Sequence, residues 1–505
     1  MRTILHKDRI FLRLSLLLLA AYLLSACQPQ AASADDQSSN QQNPTPTSLS
    51  SVSEGESATI TPFPERPNYA PGELVDYTVQ TGDTLPALAA RFNTSVDEIR
   101  ENNLIIPEDV TTLPPGMPMQ IPIYFVPFWG SPDQILPDSL FVNGPAQQDF
   151  DTQTYLDNSS GWLRYYRDYA AGAARSGAGI VDLVATNFSL SPQLLLALLD
   201  YQLGAVSQPV PPEDLDQYPL GYHDQGHRGF YLQLIWAADR LNQGYYGWRT
   251  GNLTVINHND GTIERPDPWQ TAASAALMYY FSLEQPKDIY NHAIGPDGFA
   301  KTYSALFGDP WENDQAHIPG SLQQPEMLLP FESGKSWAYT GGPHTGWGSG
   351  EPWAALDFAP PSTLSGCISS PEWTTAPAAG VVARTGDGIL ELDLDGDGDI
   401  RTGWTVFYLH IASKDRTPLG TQVQAGDPLG HPSCEGGRTT GTHIHIARKY
   451  NGEWIPADGP LAFNLEGWIA HNGTLPYLGT LTRFSQTVTA CECSNQTSLV
   501  TAEEQ

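Results

Sequence analysis

The stretch Thr442-His-Ile-His-Ile-Ala447 alternates polar and apolar side chains, the period-two signature of a strand with one face in a core and the other free for chemistry. Ile444 and Ile446 point one way, so His443 and His445 share the opposite face. Two residues of rise put their Cα atoms roughly 6.6 Å apart, within reach of one small volume. Such a strand needs a sheet, and the chain from about residue 330 supplies short runs punctuated by Gly and Pro. They cover 380–383, 389–394, 404–410, 422–423 and 442–447. His410 ends one of them and is predicted to lie on the face opposite Phe407 and Leu409. His344 in Gly-Gly-Pro-His and Asp357 in Ala-Ala-Leu-Asp fall in the same region. Neutral imidazole and carboxylate are the ligand types of catalytic zinc, which takes three protein groups and keeps one position open. His344, Asp357, His410, His443 and His445 are on offer, and their residue types alone do not say which bind.

A chain of 505 residues is too long for one core and is expected to form two to four domains. Arg2, Lys7, Arg9 and Arg13 flank an apolar run that ends Leu24-Ser-Ala-Cys27, the layout of a signal peptide over residues 1–26. That run is too short to span a bilayer, and no later segment reaches the ~20 apolar residues required. Leu-Ser-Ala-Cys resembles a bacterial lipobox, which implies that Cys27 is lipidated. The exported protein would then be anchored on the outer side of the cytoplasmic membrane, in the cell envelope. Residues 27–72, rich in Gln, Ser, Thr, Asn and Pro, read as a disordered tether. Residues 476–505 read as a C-terminal tail. A net charge of −31 excludes nucleic acid as a charge-driven partner. Of the cysteines beyond Cys27, Cys367 and Cys434 fall in one domain and form the preferred disulfide of an exported protein. Cys491 and Cys493 remain.

Residues 73–125 read as strand, two short helices and closing strand, with Thr94 or Ser95 as N-cap and Leu88, Phe92, Val96, Ile99 and Leu104 as core. The run Tyr77-Thr-Val-Gln-Thr-Gly-Asp-Thr-Leu85 and the later Pro115-Gly-Met-Pro-Met-Gln-Ile-Pro122 resemble the LysM module. The resemblance implies binding of N-acetylglucosamine-containing glycans between the loop of Gly82, Asp83, Thr84 and Leu85 and the loop of Ile105 and Ile106. A turn and helix cap would use the first loop equally well. Residues 150–325 carry helical periodicity with good starts, as at Ser191-Pro192. The run 195–204 resembles the helix of lysozyme-like transglycosylases that ends in a catalytic Glu. Gln202 stands at that position, and an amide cannot donate the proton that glycoside cleavage needs. A non-catalytic helical domain is expected, either a degenerate lysozyme-like fold or a spacer. Asp393-Leu-Asp-Gly-Asp-Gly-Asp399 imitates the start of a calcium loop, but Trp404 occupies the twelfth position where an EF-hand needs Glu. A solvated turn is the preferred reading.

Gly426-Asp-Pro-Leu-Gly430 followed by Gly441-Thr-His-Ile-His445, with His344 and Asp357 upstream, resembles the lysostaphin-type and beta-lytic zinc peptidases of peptidoglycan. Most of that family has the first His and the Asp four residues apart; here the interval is thirteen, characteristic of the beta-lytic branch. The resemblance implies one zinc held by His344, Asp357 and His445, with His443 and His410 as the catalytic pair. The expected chain is multidomain: a small βααβ LysM module, an α-helical middle domain and a mainly antiparallel β peptidase domain over 330–475. The expected function is a zinc endopeptidase that cuts peptide cross-links of peptidoglycan, brought there by LysM binding to glycan. The alternative is a non-catalytic wall-binding regulator of other hydrolases.

Overall fold

The computed structural model describes residues 67–504 other than 313, 363–365, 369 and 494. The signal peptide, Cys27 and most of the tether lie outside the described residues. Among the described residues no helix is long and apolar enough to cross a membrane.

The N-terminal module pairs β1 (Glu73–Thr78) antiparallel with β2 (Pro118–Ile123) and packs α1 (Leu85–Arg91) and α2 (Val96–Asn102) against them. Ser95 is the N-cap of α2 and forms a reciprocal capping box with Glu98, so the chain enters that helix with its first donors satisfied. Leu88, Phe92 and Ile99 are buried, whereas Leu104 is 89% exposed. Asn103 ends α2 by donating to Ile99 and Gln120 carbonyls, which turns the following residues outward. The end of the expected tether is also structured: Tyr69 packs edge-on against Trp129, with ring centroids 6.0 Å apart.

The middle domain begins earlier than expected, since Ile135, Leu136, Phe141 and Val142 already belong to its core. Its main helices are α3 (Gly177–Phe188), α4 (Pro192–Leu203), α5 (Phe230–Thr250) and α6 (Ala272–Glu284). Ser191 caps α4 and Gly204 ends it in the left-handed conformation. Gln202 accepts a hydrogen bond from the Tyr280 hydroxyl at 2.7 Å, a structural role.

The C-terminal domain is built on a nine-stranded antiparallel sheet. Its strands include β3 (Ser336–Thr345), β4 (Trp353–Ala359), β5 (Gly380–Thr385), β6 (Leu390–Asp393), β7 (Trp404–Leu409), β8 (Gln422–Val423), β9 (Ile444–Tyr450) and β10 (Leu499–Thr501). They run in the order β8-β5-β6-β7-β9-β4-β3-β10, with Glu453–Trp454 paired to β9. Residues 476–505 are therefore no tail. They hold Gly479–Arg483 and Gln486–Thr489, and β10 closes the edge of the main sheet on β3.

One sheet face, with Val406, Tyr408, Ile444 and Ile446, packs on the C-terminal domain's own core. Part of the other, with Ala355, Phe407, Ala447 and Trp454, joins the core of the middle domain. At that seam Glu453 and Arg249 are paired at 3.0 Å while nearly inaccessible to solvent. The Tyr245 hydroxyl donates to Glu453 at 2.8 Å, and the Tyr246 hydroxyl accepts the Trp454 N–H at 3.0 Å. The two domains thus share apolar and charged interior.

Candidate metal centre and cleft

Three strands deliver the candidate ligands. His445 on β9 stands directly opposite Asp357 on β4 in the antiparallel register, which puts the two side chains on the same face. Asp357 in turn faces Gly341 on β3, and a register shift between Gly341 and His344 swings His344 onto the same site. Gly341 is required by space: a Cβ there would lie 2.6 Å from Asp357 Oδ2. The interval of thirteen between His344 and Asp357 is thus a hairpin whose turn carries the extra residues. That turn leans on α5, where Asp239 accepts the Ser349 N–H at 2.8 Å and Gln243 accepts the Glu351 N–H at 3.1 Å.

The hydrogen bonds fix the proton positions. A carbonyl oxygen only accepts, so Nδ1 of His344, 2.8 Å from the Gly342 carbonyl, and Nε2 of His445, 3.1 Å from the Gly346 carbonyl, carry the hydrogens. Their other nitrogens, His344 Nε2 and His445 Nδ1, face each other at 3.0 Å as lone pairs. Asp357 Oδ1 lies 3.3 Å from each and receives no hydrogen bond although buried. Three lone pairs converging without a proton between them call for a cation. Tetrahedral zinc with ligands at ~2.0–2.1 Å spaces them about 3.3–3.4 Å apart; the two sides at Asp357 are 3.3 Å and the His344–His445 side is 3.0 Å. Burial pushes His445 down, keeping the imidazole neutral. The Gly342 and Gly346 carbonyls, by accepting these ring hydrogens, orient the two rings.

His443 and His410 flank the triangle, with ring centroids 4.6 Å apart. Nδ1 of His443 donates to the Gly441 carbonyl and Nδ1 of His410 to the Glu435 carbonyl, each at 2.8 Å, so both rings present Nε2 as an acceptor. His443 Nε2 lies 3.7 Å from Asp357 Oδ2. Burial, reinforced by His443, pushes His410 down to about 4. His410 was expected opposite Leu409, yet both line the cleft. His410 adopts φ +67°, and this left-handed residue breaks the alternation at the end of β7.

The groups open into a cleft of about 1320 Å³ walled by two domains. Val184, Asn187 and Phe188 of α3 and Tyr231 and Ile235 of α5 line it together with the histidines. Tyr477, in the segment expected to be a tail, stacks on His344 with centroids 4.1 Å apart and planes 22° apart. Cys367 and Cys434 form a disulfide with Cα atoms 5.8 Å apart, and Cys491 pairs with Cys493. Asp393, Asp395 and Asp397 cluster as a turn in which Asp393 Oδ2 accepts N–H groups of Gly396 and Gly398.

The expected glycan loop is placed differently. Gly82, Asp83 and Leu85 are buried. Asp83 takes the Tyr77 hydroxyl at 2.6 Å and pairs with Arg91 at 2.8 Å, and a Cβ on Gly82 would lie 2.6 Å from the Arg249 guanidinium carbon. The Thr84 hydroxyl caps α1. Of the second loop, Ile106 is buried and Ile105 is 82% exposed. The middle domain covers the first loop, so the six residues do not form one open surface.

Residues 77–122 match the LysM domain family, and residues 134–320 match the family described as LasA, N-terminal domain. Protease LasA of Pseudomonas aeruginosa is 28% identical over 342 residues, covering 64% of this chain and 75% of its own. The beta-lytic metalloendopeptidase of Lysobacter enzymogenes is 30% identical over 141 residues, covering 26% of this chain and 74% of its own. A solved structure, the M23 metalloprotease pseudoalterin from the deep sea, aligns at 25% identity over 33% of this chain and 96% of that one, with a TM-score of 0.29. The chain belongs to the family of the beta-lytic metalloendopeptidases and resembles protease LasA over three quarters of the latter's length. It is a metalloendopeptidase that carries a LysM module.

Proposed function

We propose that the protein cuts peptide cross-links of peptidoglycan with one zinc ion held by His344, Asp357 and His445. The observation that carries this is the triangle of unprotonated ligand atoms at the head of the two-walled cleft. A zinc ion held there would supply Lewis acidity, polarising a carbonyl and acidifying water. Nε2 of His410, neutral at physiological pH, takes the proton of the attacking water and returns it to the leaving amine. Nε2 of His443 accepts a hydrogen bond from that water and orients it for attack. Tyr477 keeps the His344 ring in plane by stacking. The apolar wall of Val184, Phe188, Tyr231 and Ile235 holds the substrate's side chains and excludes bulk water. The LysM match supports a cell-wall polymer as the substrate. The lipobox-like Cys27 supports attachment at the outer side of the cytoplasmic membrane.

The test is mass spectrometry of muropeptides after incubating the purified, zinc-loaded protein with sacculi. New amino termini are expected, and a chelator should abolish them. Protein with stoichiometric zinc that releases no amino terminus from any peptidoglycan refutes the proposal. Glycan fragments without peptide cleavage would move the activity to the middle domain.

A further inference from the structure

The segment that leaves the middle domain, residues 317–322, is seated on the LysM module between the turn at Thr81-Gly82 and the loop of Thr111 to Pro114. Thr81 Oγ1 accepts the Ile318 N–H at 2.9 Å and lies 3.2 Å from the Ile318 carbonyl. Thr112 accepts twice, its carbonyl from the Ser321 N–H at 2.8 Å and its hydroxyl oxygen from the Leu322 N–H at 3.0 Å. The same hydroxyl donates to the Pro319 carbonyl at 2.7 Å, and the Thr111 hydroxyl donates to the Leu322 carbonyl at 2.5 Å. Gly320 passes so close that a Cβ would stand 2.6 Å from Pro114 Cα. Ile318 and Leu322 are 2% and 6% exposed. This is a peptide held along its backbone by two loops, the geometry of a ligand and not of a loose linker.

We propose that residues 317–322 are an internal ligand of the LysM module, and that a glycan of N-acetylglucosamine units competes with them for the face between these two loops. The proposal rests on the reading of the module as glycan-binding. The seated segment also delivers His317, whose Nε2 lies 2.6 Å from Glu453 next to β9. The strand after Tyr450 and the LysM loops are thereby joined through one peptide. Two ligands that exclude each other on one face are linked reciprocally: glycan binding releases the segment, and a released segment strengthens glycan binding by the same factor.

The test uses the full chain and a tetramer of N-acetylglucosamine as probe. Thr112→Val removes the hydroxyl that grips Pro319 and Leu322, and Gly320→Phe drives the segment off Pro114. Both variants should bind the tetramer at least tenfold tighter than the wild type by calorimetry. Adding tetramer to the wild type should speed hydrogen exchange at the Ile318, Ser321 and Leu322 amides. Equal affinity in all three proteins with those amides still protected overturns the competition and leaves the module's glycan reading intact. No binding by wild type or variants overturns that reading, and the competition with it.

Discussion

Replacing Arg249 by Met tests how the three domains are held together. Arg249 is nearly inaccessible and is shared among Glu453, Asp138, the Tyr245 hydroxyl and the Thr81 carbonyl. Burial alone would raise the Glu453 carboxyl, but Arg249, His317 and Tyr245 hold it down at about 2 from an ordinary 4.5. At 1.36 kcal/mol per pH unit this depression corresponds to ~3 kcal/mol of stability. The folded value lies below the unfolded one, so that stability is present above pH 4.5 and is lost as pH falls from 4.5 towards 2. Arg249→Met strands a buried carboxylate and should destabilise the protein by about 3–5 kcal/mol at pH 7. The deficit should shrink towards pH 3, where the wild type has lost much of the same contribution. Urea unfolding followed by tryptophan fluorescence at the two pH values measures both. The double variant Arg249→Met/Glu453→Gln should regain part of the loss, because the Glu453 charge is gone while the buried Asp138 still lacks its partner. A deficit below ~1 kcal/mol at pH 7, or one unchanged by acid, would refute the reasoning.

Four further outcomes are expected. His410→Ala should keep its zinc by elemental analysis yet lose about 10²–10⁴-fold in kcat. Gly341→Ala, whose methyl meets Asp357, should weaken zinc affinity about 10–100-fold in chelator competition, as displaced ligand support does. Cys367→Ser/Cys434→Ser opens a loop with a sequence separation of 67 and should cost about 4 kcal/mol in denaturant titration. Ile235→Asp, on the middle-domain wall of the cleft, should leave zinc content unchanged and lower kcat/KM by about tenfold, mainly through KM, for the loss of ~1.4 kcal/mol of apolar contact.

What could be read from the sequence was local. The isoleucines between His443 and His445 declare a face, and both apolar side chains do enter the C-terminal core. The LysM motif gave strand, helices and cap, because each depends on neighbours in the chain. The strands carrying His344 and Asp357 were not legible. Gly341-Gly-Pro343 and the register shifts around them erase the period of two. The role of 476–505 was hidden for a different reason: its pairing partner, Ser336–Thr345, lies far upstream, and Tyr477 reaches His344 from a loop with no motif of its own. The left-handed turn at His410 leaves no trace in a non-glycine residue. Above all, the glycan-loop residues were read as surface because a motif describes its own module and says nothing of what a neighbouring domain covers.

The interval between His344 and Asp357 has a consequence for reading other chains. Pairing of β3 with β4 decides where the two ligands meet, so the number of residues between them measures how far the hairpin tip projects and is not a property of the coordination sphere. Here the tip is long enough for Ser349 and Glu351 to engage α5. Shortening the interval to four residues would remove the tip that holds this helix. Interval length should therefore track the presence of a LasA-like N-terminal domain across genomes, and a search pattern with a fixed gap would discard the members that have one.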